Sequence, residues 1–188
     1  LRTWFKIGCI GFGGPAGHPA VIHHTDGHTA LREWRKQRLA RRLLEFVTRI
    51  HPDAPPLQAM LVGEWGQGAQ LLVYFPGFNT PMGPWEAAKC RMLAHSFGQP
   101  VVVVEIPGMS HYGDALPGRV RKQMMNGDVG GWAELLVDYQ LAALQALGLE
   151  VPATVDLLGY STGCSLGVAA FEGWSEHARV RSVSMVEP

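Results

Sequence analysis

Residues 159–163 read Gly-Tyr-Ser-Thr-Gly, which places a serine between two glycines at a spacing that suits nucleophilic catalysis. The apolar segment "TVDLLGY" leads into this stretch, and the small, helix-compatible residues "GCSLGVAAFEGW" follow it. A serine on a sharp strand-to-helix turn is presented to substrate, and such a turn requires small neighbours. The start of the following helix favours an oxyanion that develops there. We therefore predict that Ser161 is a nucleophile, the alternative being a glycine-rich turn with an incidental serine.

A second turn has the chemistry to support this serine. Pro76-Gly77-Phe78 follows the apolar segment "AQLLVYF", and α/β sheets bind their ligands at the carboxyl ends of the strands. We expect the backbone amides of Phe78 and Thr162 to form an oxyanion hole, and we expect Gly77 and Tyr160 to line the site. A plain connection between a strand and a helix is the alternative for this turn.

An activated serine also needs a base, and the base needs an acid that orients it. Glu187 ends the last apolar segment and is a possible acid, but a capping or solvated carboxylate is the favoured interpretation. His177 is the sole histidine after Ser161, and we expect it at the surface, away from the strand ends. His111 follows the apolar run 101–106, and we expect it to line the site rather than to act as the base.

Metal and cofactor chemistry is not expected. His23, His24 and His28 form a cluster with Asp26, and imidazole with carboxylate suits zinc or nickel. No fourth ligand follows at a fixed spacing, so a solvated, histidine-rich loop is favoured over a metal site.

Composition predicts a soluble globular α/β protein. The 188 residues are 47% apolar and 17% charged, with 23 glycines, 13 prolines and zero formal net charge. This charge balance gives no reason to expect nucleic acid as a partner, and no run approaches the roughly 18 apolar residues that span a membrane. The odd number of cysteines and their spacing predict reduced thiols and a cytoplasmic setting. These cysteines are Cys9, Cys90 and Cys164.

From Leu57 onward, apolar β-type segments alternate with helical patterns, which predicts a three-layer α/β/α fold with a mostly parallel sheet. Two segments on either side of Gly66-Gln67-Gly68 predict a β-hairpin. The remaining predicted elements are helices at 85–97 and 131–149, a strand at 101–106, and the strand–helix–strand unit that contains Ser161.

Residues 1–56 differ in composition and are predicted to be an irregular Gly/His-rich extension followed by a basic amphipathic helix at 31–50. We expect the apolar stripe of that helix to pack on the domain, the alternative being an anionic membrane or a nucleic acid. Within this region, "TWFKIGCIGFGGPAGHPAVIHH" at 3–24 resembles the Phe-Gly-Gly-Pro opening of chromate transporters. We take no function from that resemblance.

Residues 57–188 resemble the amino-terminal half of the α/β-hydrolase family. The similar segments are "LVGEWGQGAQLLVYFPGF", "VVVVEIPGMSHYGD", "VDLLGYSTGC" and "VRSVSMVEP", in the family's order. Three positions depart from the family pattern, because Pro76 replaces the usual histidine, Glu105 takes the place of an aspartate, and Cys164 replaces a frequent glycine. The resemblance implies that Ser161 is the nucleophile, that Thr162 and Phe78 are the oxyanion donors, and that no metal takes part.

The resemblance further implies a serine hydrolase, esterase- or lipase-like, that acts on a small acyl substrate. Its family order is serine, acid, histidine, and 27 residues follow Ser161. We therefore expect both the acid and the histidine base beyond Pro188, and we expect a truncated chain that is inactive by itself. The alternative is a non-catalytic binding module with the same fold.

Overall fold

A computed structural model describes residues 57–63, 65, 68–109 and 116–188. The extension and basic helix predicted within 1–56 lie outside these residues, as do His111 and the histidine cluster. The described strands are β1 (Ala59–Val62), β2 (Leu71–Phe75), β3 (Val101–Val104), β4 (Thr154–Tyr160) and β5 (Arg179–Val186). The described helices are α1 (Pro84–Phe97), α2 (Gly118–Met125), α3 (Gly130–Ala146) and α4 (Thr162–Ser175).

The five described strands form one sheet in the order β1-β3-β2-β4-β5. β1 runs antiparallel to β3, and every other neighbouring pair is parallel. Along the chain, α1 connects β2 to β3, α2 and α3 connect β3 to β4, and α4 connects β4 to β5. Because parallel strands run in the same direction, β2 and β4 bring their carboxyl ends to one edge of the sheet. The predicted α/β fold with a mostly parallel sheet is confirmed.

The predicted hairpin between β1 and β2 is wrong. β1 pairs with β3 instead, with Met60 opposite Val103 and Leu61 opposite Val102. All four residues of β1 are buried. Pairing with the free side of β3 therefore buries more of their apolar surface than a hairpin with β2 alone would. The buried Glu105 strengthens this pairing, because its side chain accepts a hydrogen bond from the amide of Gln58 at 3.2 Å.

Helices cover both faces of the sheet. Leu71, Val73 and Phe75 of β2 belong to a core with α3 and α4. Leu72 and Tyr74, which alternate with them, belong to a second core with α1. This alternation follows the two-residue period of a strand and accounts for the unbroken apolar sequences of the central strands. The predicted three-layer arrangement is confirmed for the described residues.

Two features distinguish the outer parts of the described fold. β5 is an edge strand of the sheet and keeps Val183 and Met185 exposed. α2 was not among the predicted elements, since half of its eight residues are polar and it buries only Val120. None of the helices that the structure describes is both long enough and apolar enough to cross a membrane.

Candidate active site

Ser161 lies at the junction between β4 and α4 with a backbone conformation that side chains rarely adopt. Its φ is 53° and its ψ is −125°, in a region where an L residue is strained and glycine is favoured. The residue is partly exposed. A strand, one strained serine and a helix in immediate succession give the geometry of a nucleophile elbow.

The turn is tight enough to require glycine on both sides of Ser161. A Cβ atom on Gly159 would lie 2.5 Å from the Cα of Cys164. A Cβ atom on Gly163 would lie 2.1 Å from the carbonyl oxygen of Phe75. These distances explain in physical terms why the sequence has glycine two residues before and two residues after the serine.

Backbone contacts fix the elbow to the end of β5. The amide of Ser161 donates a hydrogen bond of 3.1 Å to the carbonyl oxygen of Val186. The buried thiol of Cys164 lies 3.4 Å from the same oxygen. Burial raises the pKa of this thiol, although its hydrogen bonds with backbone groups lower it in part. Cys164 is therefore held as a neutral core side chain, as expected for a thiol in an apolar setting.

The Pro76-Gly77-Phe78 turn lies directly beside the elbow. A Cβ atom on Gly77 would lie 3.1 Å from the ring of Tyr160 and 3.5 Å from the Cβ of Ser161. Thr80 braces the turn, because its hydroxyl donates a hydrogen bond of 2.9 Å to the carbonyl of Gly77. Phe78, the next residue, has a side chain that is 68% exposed. The structure thus brings Gly77, Tyr160 and Ser161 together, with Phe78 next to them in the chain.

Thr162 is the first residue of α4. The amides of the first helical turn have no partner inside their own helix, and the helix dipole adds positive potential at this end. The sequence assigned Thr162 and Phe78 as oxyanion donors, and that assignment stays a prediction.

Tyr160 and Glu187 lie close to each other at the ends of β4 and β5. In the β4–β5 register Tyr160 lies opposite Val186. Glu187 is the next residue, lies outside β5 with a φ of 51°, and is exposed. Burial raises the pKa of the Tyr160 phenol, and the charge and hydrogen bond of Glu187 raise it further. The candidate acid therefore influences the residue that precedes Ser161 through its charge.

A buried ion pair of α1 lies next to the ring of the same tyrosine. Lys89 Nζ is 2.5 Å from Glu86 Oε2, and both side chains are nearly inaccessible. The same ammonium lies 5.9 Å from the centroid of the Tyr160 ring, within the range of a cation–π interaction. Burial raises the pKa of Glu86, and the Lys89 charge lowers it in part.

Neither of the described histidines is near Ser161. His95 lies in the last turn of α1, and His177 lies between α4 and β5. Both positions are exposed. They lie near the strand ends where β3 and β5 begin, at the opposite end of the sheet from the carboxyl end of β4. The predicted surface position of His177 agrees with this. His111 lies outside the described residues, so its predicted place at the site stays a prediction.

Among residues 57–63, 65, 68–109 and 116–188, no three histidine, cysteine or acidic side chains are grouped to hold an ion.

Sequence reasoning did not single out the buried Lys89–Glu86 pair. A signal for them was present, because they are charged residues three apart within the otherwise apolar face of a predicted helix.

Fold and site together define an α/β protein whose mostly parallel sheet carries a strained strand–serine–helix turn at the carboxyl end of a central strand. No family model matches the chain, and no curated protein matches it by sequence. Comparison with solved structures finds proteins to which it is similar at low identity.

Three of these solved structures illustrate the similarity. A protein from Agrobacterium vitis S4, provisionally described as a hydrolase, is 18% identical with a TM-score of 0.46, over 75% of this chain and 49% of that one. An α/β hydrolase from a Medee basin deep-sea metagenome is 13% identical with a TM-score of 0.43, over 69% and 40%. An esterase from Pyrobaculum calidifontis is 19% identical with a TM-score of 0.44, over 85% and 52%. This chain thus spans about half of the length of these proteins or less.

Proposed function

We propose that this chain carries the nucleophile and oxyanion hole of a serine hydrolase, esterase- or lipase-like, that acts on a small acyl substrate. The backbone conformation of Ser161 is the observation that carries the proposal. A strained backbone at Ser161, which lies between closely packed glycines, costs free energy. This cost is explained if the strain makes the Ser161 hydroxyl project from the turn towards a substrate.

In the proposed reaction, the Ser161 hydroxyl attacks the acyl carbonyl, and a histidine takes up the hydroxyl proton. The amides of Thr162 and Phe78 donate hydrogen bonds to the resulting oxyanion. Protonated histidine then gives its proton to the departing alcohol, and water releases the acyl group by the same route. An acid orients the histidine, and Glu187 is a candidate for this role within the chain.

The base is the component that the described residues do not supply. His95 and His177 belong to the opposite edge of the sheet. The sequence-based expectation of a histidine beyond Pro188 is therefore kept as part of the proposal, with His111 as the candidate inside this chain.

The test is labelling of the whole protein with a fluorophosphonate probe, followed by mass spectrometry of the modified peptide. We expect the probe on Ser161 and no labelling of Ser161→Ala. Ser165→Ala is the matched control, because Ser165 is an exposed serine one turn along α4, and this variant should label like the wild type. Labelling that persists in Ser161→Ala would overturn the assignment of the nucleophile.

A second candidate function is a binding module that uses the same fold without catalysis. The position of both described histidines away from Ser161 favours it. The two functions differ in one result, since a binding module would leave Ser161 unlabelled in the whole protein at every pH at which the protein is folded.

A further inference from the structure

The peptide bond between Gly77 and Phe78 lies next to the proposed nucleophile. Gly77 is buried, and a Cβ atom on it would lie 3.5 Å from the Cβ of Ser161. The amide of Phe78 belongs to the same peptide as the Gly77 carbonyl, so it begins from this position beside the serine. The direction of that amide decides whether it can donate a hydrogen bond to an oxyanion formed there.

The residues of the turn do not fix this direction by themselves. The side chain of Phe78 is 68% exposed, so it does not anchor its own peptide. Asn79, the next residue, has a φ of 51°, in the left-handed region that favours glycine. Pro76, on the other side, has no amide hydrogen that could brace the turn. A turn with these properties requires a brace from another group.

Thr80 supplies that brace through the carbonyl of Gly77. Its hydroxyl donates a hydrogen bond of 2.9 Å to the carbonyl oxygen, a normal length for such a bond. Because a peptide is planar and trans, the Gly77 carbonyl and the Phe78 N–H point in opposite directions within one plane. A hydrogen bond that fixes the carbonyl therefore fixes the N–H as well. It also polarises the peptide, which strengthens the N–H as a donor.

We infer that Thr80 is a positioning residue that aims the amide of Phe78 at the oxyanion formed when Ser161 attacks its substrate. This inference rests on the proposed function, because the direction of the amide has a purpose only if Ser161 reacts. Thr80 acts through the Gly77–Phe78 peptide and not on the reacting atoms.

The first test measures the peptide without any requirement for activity. Glycine directly precedes phenylalanine at two places in the chain, 11–12 and 77–78. The 188-residue chain labelled with [1-13C]glycine and [15N]phenylalanine therefore gives two signals in an NMR experiment that selects carbonyl carbons bonded to amide nitrogens. Phe12→Leu removes one of them and assigns the other to the Gly77–Phe78 peptide.

Thr80→Val removes the hydroxyl and keeps the size of the side chain. We expect it to move the carbonyl carbon signal of the Gly77–Phe78 peptide upfield, as for a carbonyl that loses a hydrogen bond, whereas Thr80→Ser should leave the signal near its wild-type position. Ser175→Ala is the matched control, because the Ser175 hydroxyl donates a hydrogen bond of 2.7 Å to the carbonyl of Phe171 in the last turn of α4. It should leave the signal unchanged. A signal that does not move in Thr80→Val would overturn the inference.

The second test asks whether the brace serves the reaction. Loss of one oxyanion donor slows catalysis by roughly 100- to 1,000-fold, and a misdirected donor loses part of that effect. We therefore expect Thr80→Val to slow fluorophosphonate labelling of Ser161 in the whole protein by about tenfold or more. The loss should appear in the maximal labelling rate and not in the probe concentration that gives half of that rate, because the donor acts on charge that develops in the transition state.

Thr80→Ser and Ser175→Ala should label like the wild type. Thr80→Ala, which also lacks the hydroxyl, repeats the measurement with a smaller side chain and should label as slowly as Thr80→Val. An unchanged rate in both variants that lack the hydroxyl would overturn the inference, as would equal slowing in Thr80→Ser, which would trace the effect to the threonine methyl group. If wild-type Ser161 is not labelled, the proposed function fails, and the NMR signal still decides separately whether Thr80 fixes the peptide.

Discussion

The carbonyl oxygen of Val186 accepts a hydrogen bond of 3.1 Å from the amide of Ser161, one residue beyond the last register pair of β4 and β5. The thiol of Cys164, from the first turn of α4, lies 3.4 Å from the same oxygen. One carbonyl of the edge strand therefore contacts the turn both at the serine and after it. This double contact explains how a serine can be kept at a φ of 53°, since the neighbouring structure offsets the cost of the conformation.

Strain at Ser161 predicts an unusual response to glycine. Ser161→Gly and Ser161→Ala both remove the hydroxyl, but only glycine adopts a positive φ without steric cost. We expect Ser161→Gly to be more stable than Ser161→Ala by about 1 kcal/mol, measured by urea denaturation, because relief of strain outweighs the added entropy of the unfolded chain.

The matched control is the same pair of substitutions at Ser165. This residue is exposed within α4, where glycine is less favourable than alanine by about 1 kcal/mol. The order of stability should therefore reverse between the two serines. The same order at both sites would contradict a strained elbow.

Gly163 is predicted to tolerate no side chain. Alanine would bring a Cβ atom to 2.1 Å from the carbonyl oxygen of Phe75 and to 2.5 Å from that of Pro76. Both are backbone atoms, so the β2 turn and α4 would have to separate. We expect Gly163→Ala to lower the free energy of unfolding by about 3 kcal/mol. Gly118→Ala, in a position with open space, should change it by less than about 0.5 kcal/mol, and similar effects at both glycines would refute the close approach.

Sequence patterns predicted the helix that became α1 closely, because its ends have local chemical causes. Pro84 suits the first turn of a helix, and Gly98 takes the left-handed conformation that ends it, with a φ of 65°. The elbow was predictable for the same reason, since small residues at fixed offsets from Ser161 are a local requirement.

Pairing between distant segments was not predictable from such patterns. The sequence between β1 and β2 is compatible with a hairpin, and only the free side of β3 makes the antiparallel β1–β3 pair the better arrangement. The approach of Lys89 to the Tyr160 ring and the effect of Glu187 on the pKa of that phenol likewise depend on how α1 and β5 are placed around β4. No spacing rule connects residues 89, 160 and 187.

Hydrolysis by the 188-residue chain is predicted to be independent of Ser161. A serine hydroxyl without a base is a poor nucleophile, and neither His95 nor His177 is near the elbow. We expect the chain to hydrolyse p-nitrophenyl acetate no faster than Ser161→Ala. A faster wild-type rate that His111→Ala abolishes would contradict this prediction and would identify His111 as the base.

Asp156 predicts how stability depends on pH. This buried residue of β4 accepts hydrogen bonds from Arg181 Nε at 3.0 Å, from the Ser182 hydroxyl at 2.6 Å and from Gln99 Nε2 at 2.9 Å. Burial raises the pKa of Asp156, but the hydrogen bonds from Arg181, Ser182 and Gln99 outweigh burial, so the folded pKa lies below the ordinary value of 3.8.

The depressed pKa fixes the sign of the effect. Above the ordinary value both the folded and the unfolded chain carry the carboxylate, and its contribution to stability is complete. As the pH falls below that value towards the folded pKa, the unfolded chain takes up the proton first, and the contribution is lost. We expect Asp156→Asn to cost about 1–3 kcal/mol at pH 7 and to cost progressively less below about pH 4. Urea denaturation at pH 7, 5, 4 and 3 measures this, with Glu172→Gln, an exposed change on α4, as the control. A cost that stays constant or grows towards pH 3 would show that the carboxylate of Asp156 is not stabilised by its hydrogen bonds.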